Sequence, residues 1–190
     1  MLPSREELIT LVRQHYPSSN ALMFTSERSP ETRRLDDKWE HWVSNLESWD
    51  AFRDELSRAL PHHIIGETYP SMEGGPRGVI YMPQEAWAPH ANWDVVGCMS
   101  LLAPVYFVYG VEWDFLDGRR QNLRARFSSP PPSMAGPARV IAETMERMLG
   151  LAPLPRELAD TPVPVYAGSL EPHETTLFHA LFTSAPQRIP

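Results

Sequence analysis

The sequence predicts an α+β fold, a mainly antiparallel sheet with helices packed on one face, and three features carry that prediction. Up to Leu60 the apolar residues recur at helical spacing. From Pro61 onward they fall into short runs of strand character, and near the centre Asp117-Gly118 separates two such runs as a hairpin turn. The 190 residues suit one domain, with an amino-terminal helical region over about 4–60 and a sheet-plus-helix region over about 61–190.

In the helical region, Ser4 followed by Glu7 is a capping box, and Leu8, Ile9, Leu11 and Val12 form an apolar stripe that Pro17 stops. Ser29-Pro30 is a second start, an N-cap followed by proline where its missing N–H costs nothing. Leu35, Trp39, Trp42, Leu46 and Trp49 then recur at alternating spacings of four and three, and the stripe runs on through Phe52 and Leu56 to Leu60. Ser48 can cap a new helix beginning at Trp49, so two helices with a bend near Ser48 are expected. The tryptophans read as a core-facing stripe. A sharper reading leaves Trp39 or Trp42 partly exposed as an interface anchor.

Past Pro61, His63 to Tyr69 and Val79 to Met82 read as short strands around the glycine-rich segment Glu73 to Gly78. That segment lacks the lysine and following helix of a phosphate-binding loop, so it reads as a plain turn. Asp94 to Leu102 and Val105 to Phe115 are the central strands, and Arg120 to Phe127 pairs back across Asp117-Gly118 in a type I′ turn. Glu112, Trp113, Asp114 and Phe115 alternate along the outgoing arm, which sets two carboxylates on one face and two aromatics on the other. A helix from about Pro137 to Leu149 follows, with Gly150 at its left-handed C-cap. Val163 to Tyr166 is read as a late strand and Thr175 to Phe182 as a short amphipathic helix. Prolines, 20 in all, act between these segments as stiff connectors.

Charge and cysteine content restrict the function. Asp and Glu number 24 against 17 Lys and Arg, a formal charge of -7, which disfavours a nonspecific nucleic-acid surface and favours a basic partner. A single cysteine, Cys98, excludes an internal disulfide and fits a reducing cytoplasm. Met1 to Asn20 shows no leader pattern, and the apolar run from Val95 to Val111 is too interrupted to span a membrane.

No motif names a reaction. Glu112, Asp114 and Asp117 could gather oxygen ligands around Mg²⁺ or Ca²⁺, yet the spacing is not that of an EF-hand, and a partner-facing acidic patch is the favoured reading. Arg119, Arg120, Arg124 and Arg126 on the return arm offer cross-strand partners for those carboxylates. His62, His63, His90, His173 and His179 lack zinc spacing. Cys98 lies in an apolar strand, the setting of an inert thiol. No metal or cofactor is assigned.

The run Thr175-Thr176-Leu177-Phe178-His179-Ala180-Leu181-Phe182-Thr183, with the Trp-rich amino-terminal helices and the Glu112-Trp113-Asp114 strand, resembles the α+β immunity proteins that bacteria encode beside polymorphic toxins. The resemblance implies a cytoplasmic protein that neutralises a cognate toxin by direct docking, with a basic toxin domain as partner. Glu112, Asp114, Asp117, Trp39 and Trp42 are the expected partner-binding residues, the acids mimicking phosphate and the tryptophans anchoring. The competing reading is a small metal-assisted hydrolase built on the acidic strand cluster.

Overall fold

The computed structural model describes residues 2–19, 28–69 and 73–190; Met1 and Asn20, the limits of the stretch read for a leader, lie outside them. Helix α1 (Arg5–His15) opens on the expected capping box, with the Glu7 N–H donating to Ser4 Oγ and the Ser4 N–H to Glu7 Oε2. Helix α2 (Pro30–Val43) is capped by Ser29, whose Oγ accepts from the Thr32 N–H. Helix α3 (Glu47–Ala59) follows after a break at Ser44, Asn45 and Leu46, ahead of the expected bend at Ser48. The break falls there because Ser44 Oγ and Asn45 Nδ2 donate back to the carbonyls of Glu40 and His41, satisfying the end of α2. Ser48 sits inside the first turn of α3 and caps nothing.

Strands β1 (Ile64–Thr68), β2 (Arg77–Tyr81), β3 (Asn92–Met99), β4 (Val105–Leu116) and β5 (Arg119–Arg126) pair antiparallel in that order. The β4–β5 turn has φ 53° at Asp117 and 74° at Gly118, the two positive values that a type I′ turn requires. Helix α4 (Pro132–Leu149) starts five residues before the expected Pro137, because Pro132 of the proline run occupies its first position. It ends at Gly150 with φ 64°. Strand β6 (Ala152–Pro153), which the proline-rich sequence hid, runs parallel to the start of β4, along the edge that β5 leaves free. Helices α5 (Arg156–Ala159) and α6 (Leu177–Leu181) complete the chain.

The fold is α+β with a mainly antiparallel sheet, as expected. Helices, however, lie against both faces rather than one. Val79, Val96, Cys98, Phe107 and Tyr109 share one face and meet α1, α2 and α6. Ile80, Val95 and Tyr106 share the other and meet α3 and α4. Adjacent apolar pairs such as Val79-Ile80 and Val95-Val96 are the mark of strands buried on both sides.

The expected strand at Val163 to Tyr166 is an irregular segment with buried Val163 and Val165. Pro162 and Pro164 donate no ladder hydrogen bond, and a single bridge from Pro162 to Thr176 remains. After α6 the chain crosses the first sheet face. Arg77 Nη1 donates to the Ala185 carbonyl, Tyr109 OH to that of Pro186 and Tyr81 OH to that of Pro190. Among the described residues, no helix is long and apolar enough to cross a membrane.

Candidate binding surfaces

Residues opposite one another in an antiparallel pair share a face, and the β3–β4 register sets Trp113 with Asn92 and Glu112 with Trp93. The alternation read from Glu112 to Phe115 is therefore present. Between Glu112 and Asp114 the β4–β5 register slips, with Asn122 at φ 53° marking a bulge on β5.

The carboxylates are internally paired. Glu112 accepts from Arg124 Nη2 at 2.9 Å and Arg126 Nε at 2.6 Å. Asp114 is buried, and accepts from Asn122 Nδ2 at 2.9 Å and the Ala91 N–H at 3.3 Å, with His90 Nδ1 at 3.2 Å. Those bonds, the one from Asn122 foremost, hold its pKa below the usual aspartate range. Asp117 stands exposed at the turn. The expected patch is thus not a free acidic face. Among the described residues no group of three His, Cys, Asp or Glu stands close enough to hold a metal ion.

The opposite face of the hairpin holds a cluster that the sequence reading passed over. Arg120 lies with its guanidinium carbon 4.7 Å from the Tyr81 ring centre, 4.6 Å from that of Trp113 and 5.7 Å from that of Trp87. Its Nη1 is 3.2 Å from Asp94 Oδ2. Asp94 is fully buried, and burial pushes its pKa up to about 6 against the pull of the Met82 N–H and Arg120. The signal was available in parity: Arg120 pairs with Phe115, so it shares the aromatic face and not the acidic one.

At the α2–α3 elbow the tryptophans divide. Trp39 is 5% exposed and its Nε1 donates to the Glu73 carbonyl, so it belongs to the core and not to an interface. Trp42 is half-buried and meets Trp39, Trp49 and Tyr69 at ring separations of 5.5, 5.7 and 5.3 Å. Beside it Val43 is 52% and Tyr69 38% exposed. Asp37, Glu40 and Glu47 are exposed on the same two helices. Beneath them, Glu67 of β1 accepts from Trp49 Nε1 at 2.9 Å and Arg53 Nη1 at 2.5 Å, fixing α3 to the sheet.

The five expected partner-binding residues do not form one surface. Tyr69 follows β1, one sheet edge, whereas Asp117 closes the hairpin of β5, the other edge. Four strand spacings of about 4.8 Å separate these edges. The antiparallel order also puts the end of β1 and the β4–β5 turn at opposite ends of the sheet.

The remaining candidates are structural. Cys98 is buried with its Sγ on the Phe107 carbonyl, and burial drives its pKa far up. His179 Nδ1 accepts from the Thr176 N–H and so caps α6. Gly74 and Gly75 press against the backbone of Leu181 and Met99, with no room for a Cβ, which accounts for the glycine-rich turn without phosphate. Comparison with known protein families, curated proteins and solved structures finds no match.

Proposed function

We propose that the chain is a protein-binding module of the immunity-protein kind, which neutralises a basic toxin domain by docking it on the α2–α3 elbow. The observation that carries this reading is the half-open Trp42–Tyr69 pair beside Val43, with exposed carboxylates on the same helices. An aromatic anchor inside a polar rim is the arrangement that concentrates binding energy in few residues. Glu40 lies one helical turn before Val43 and Glu47 four residues after it. These carboxylates and the net charge of -7 favour a cationic partner face. The hairpin serves this role less well, since Glu112 and Asp114 already have partners. The hydrolase reading draws no support from carboxylates already engaged by Arg124, Arg126, Asn122 and the Ala91 N–H.

The test is binding kinetics against a basic toxin domain, sought first among the products of neighbouring genes. Tyr69→Ala is expected to speed dissociation and to raise Kd about tenfold or more. Glu40→Lys with Glu47→Lys is expected to slow association and flatten its salt dependence. Unchanged kinetics in both variants would remove the elbow as the docking face.

A further inference from the structure

We propose that Tyr81, Trp87, Trp113 and Asp94 form a cation-recognition pocket for guanidinium and methylated ammonium groups, which Arg120 fills as a tethered ligand. Three ring faces and one buried carboxylate are the elements that attract a weakly hydrated cation out of water. All four converge on the Arg120 guanidinium.

Each wall is held by a contact that does not involve Arg120. Trp87 Nε1 donates to the Met82 carbonyl at 3.1 Å, and its ring meets Trp113 edge-on at 5.1 Å. Tyr81 OH donates to the Pro190 carbonyl at 3.1 Å, and Asp94 Oδ1 accepts from the Met82 N–H at 2.9 Å. Trp113 is wholly buried in β4. Removing the Arg120 side chain therefore leaves a shaped pocket and not a collapsed one.

Arg120 also fits the pocket imperfectly. Asp94 Oδ2 is buried without a well-aligned hydrogen bond, although Arg120 Nη1 lies 3.2 Å from it and the Trp113 indole N–H also acts on the same carboxylate. Buried polar atoms of this kind are costly, and a ligand free of the β5 backbone can turn an N–H onto Oδ2. The plug itself sits on an edge strand, between the Asp117-Gly118 turn and the bulge at Asn122. This site stands at the far end of the sheet from the elbow and does not depend on the elbow's role.

The experiment titrates Arg120→Ala with methylguanidinium at constant ionic strength, following tryptophan fluorescence and Tm. A saturable fluorescence change with a rise in Tm is expected. The response should be at least tenfold weaker in the wild-type protein and absent from Arg120→Ala with Asp94→Asn. Arg124→Ala, on the other hairpin face, serves as the control for general ionic effects. A folded Arg120→Ala with no saturable response, or one equal to that of Arg124→Ala, overturns the proposal. If Arg120→Ala is unfolded alone, refolding with methylguanidinium supports the pocket and failure to refold overturns it.

Discussion

Arg120 on the edge strand β5 reaches over the Trp113 ring of β4 to Asp94 on β3, closing to 3.2 Å between Nη1 and Oδ2. The pair ties the hairpin to the middle of the sheet, yet it does not fully compensate the carboxylate. Asp94 keeps a pKa of about 6 where an ordinary aspartate has 3.8. Between these values the native chain holds a proton that the unfolded chain has released, so this group's contribution to stability falls as pH rises through the interval. The expected size is about 3 kcal/mol, at 1.36 kcal/mol per pH unit. Asp94→Asn removes the dependence. Denaturant unfolding at pH 4 to 8 should show the variant improving relative to wild type as pH rises to about 6 and levelling beyond. A flat difference would mean that Asp94 titrates normally.

Glycine substitutions separate close packing from helix propensity. Gly75→Ala drives a Cβ into the Met99 carbonyl, a backbone contact that no side-chain rotation relieves. A loss on the order of 3 kcal/mol is expected. Gly136→Ala in α4 meets nothing within 4 Å beyond its chain neighbours, but Gly136 precedes Pro137, whose ring disfavours a helical residue that carries a Cβ, so the propensity gain is offset and the change should stay within about 0.5 kcal/mol. Chemical denaturation of the two variants checks the contrast.

Cys98 should be inert. Its thiol is fully buried, bonded to the Phe107 carbonyl, and far from ionising at neutral pH. A thiol reagent should label the native chain much more slowly than the denatured one, the native rate following opening of the fold. Prompt stoichiometric labelling of native protein would contradict the packing around β3.

Local signals were legible in the sequence where a single residue type decides the geometry. The Ser4–Glu7 box, Ser29-Pro30, Asp117-Gly118 and Gly150 each fixed an element end to within a residue, because capping and positive φ are local events. Pro132 and Pro153 misled for a tertiary reason. A proline can begin a helix or lie on a sheet edge as readily as it can stiffen a linker. The candidate site was legible in parity but not in partnership. Alternation placed Glu112 and Asp114 on one face, but their neutralisation by Arg126, Arg124 and Asn122 depends on the bulge in β5. Asp94 and Arg120 are 26 residues apart in the chain, and only the strand order brings them together.

The two hairpin carboxylates should respond differently to neutralisation, which tests how much the acidic face contributes to the fold itself. Glu112 is bracketed by arginines that are 45% and 42% exposed, so water screens both pairs. Glu112→Gln is therefore expected to change stability by less than about 1 kcal/mol. Asp114 accepts from Asn122 and the Ala91 N–H, and thereby joins the loop before β3 to the bulge of β5. Its depressed pKa means that its contribution is present above the unfolded value and is lost as pH falls through the folded one, opposite in sign to Asp94. Asp114→Asn should accordingly destabilise more than Glu112→Gln at pH 7, with the gap between them closing in acid. Hydrogen exchange should show faster opening near Ala91 and Asn122 in Asp114→Asn alone. Equal losses in the two variants at pH 7 would place Asp114 among the screened surface pairs and leave the bulge to the backbone of β5.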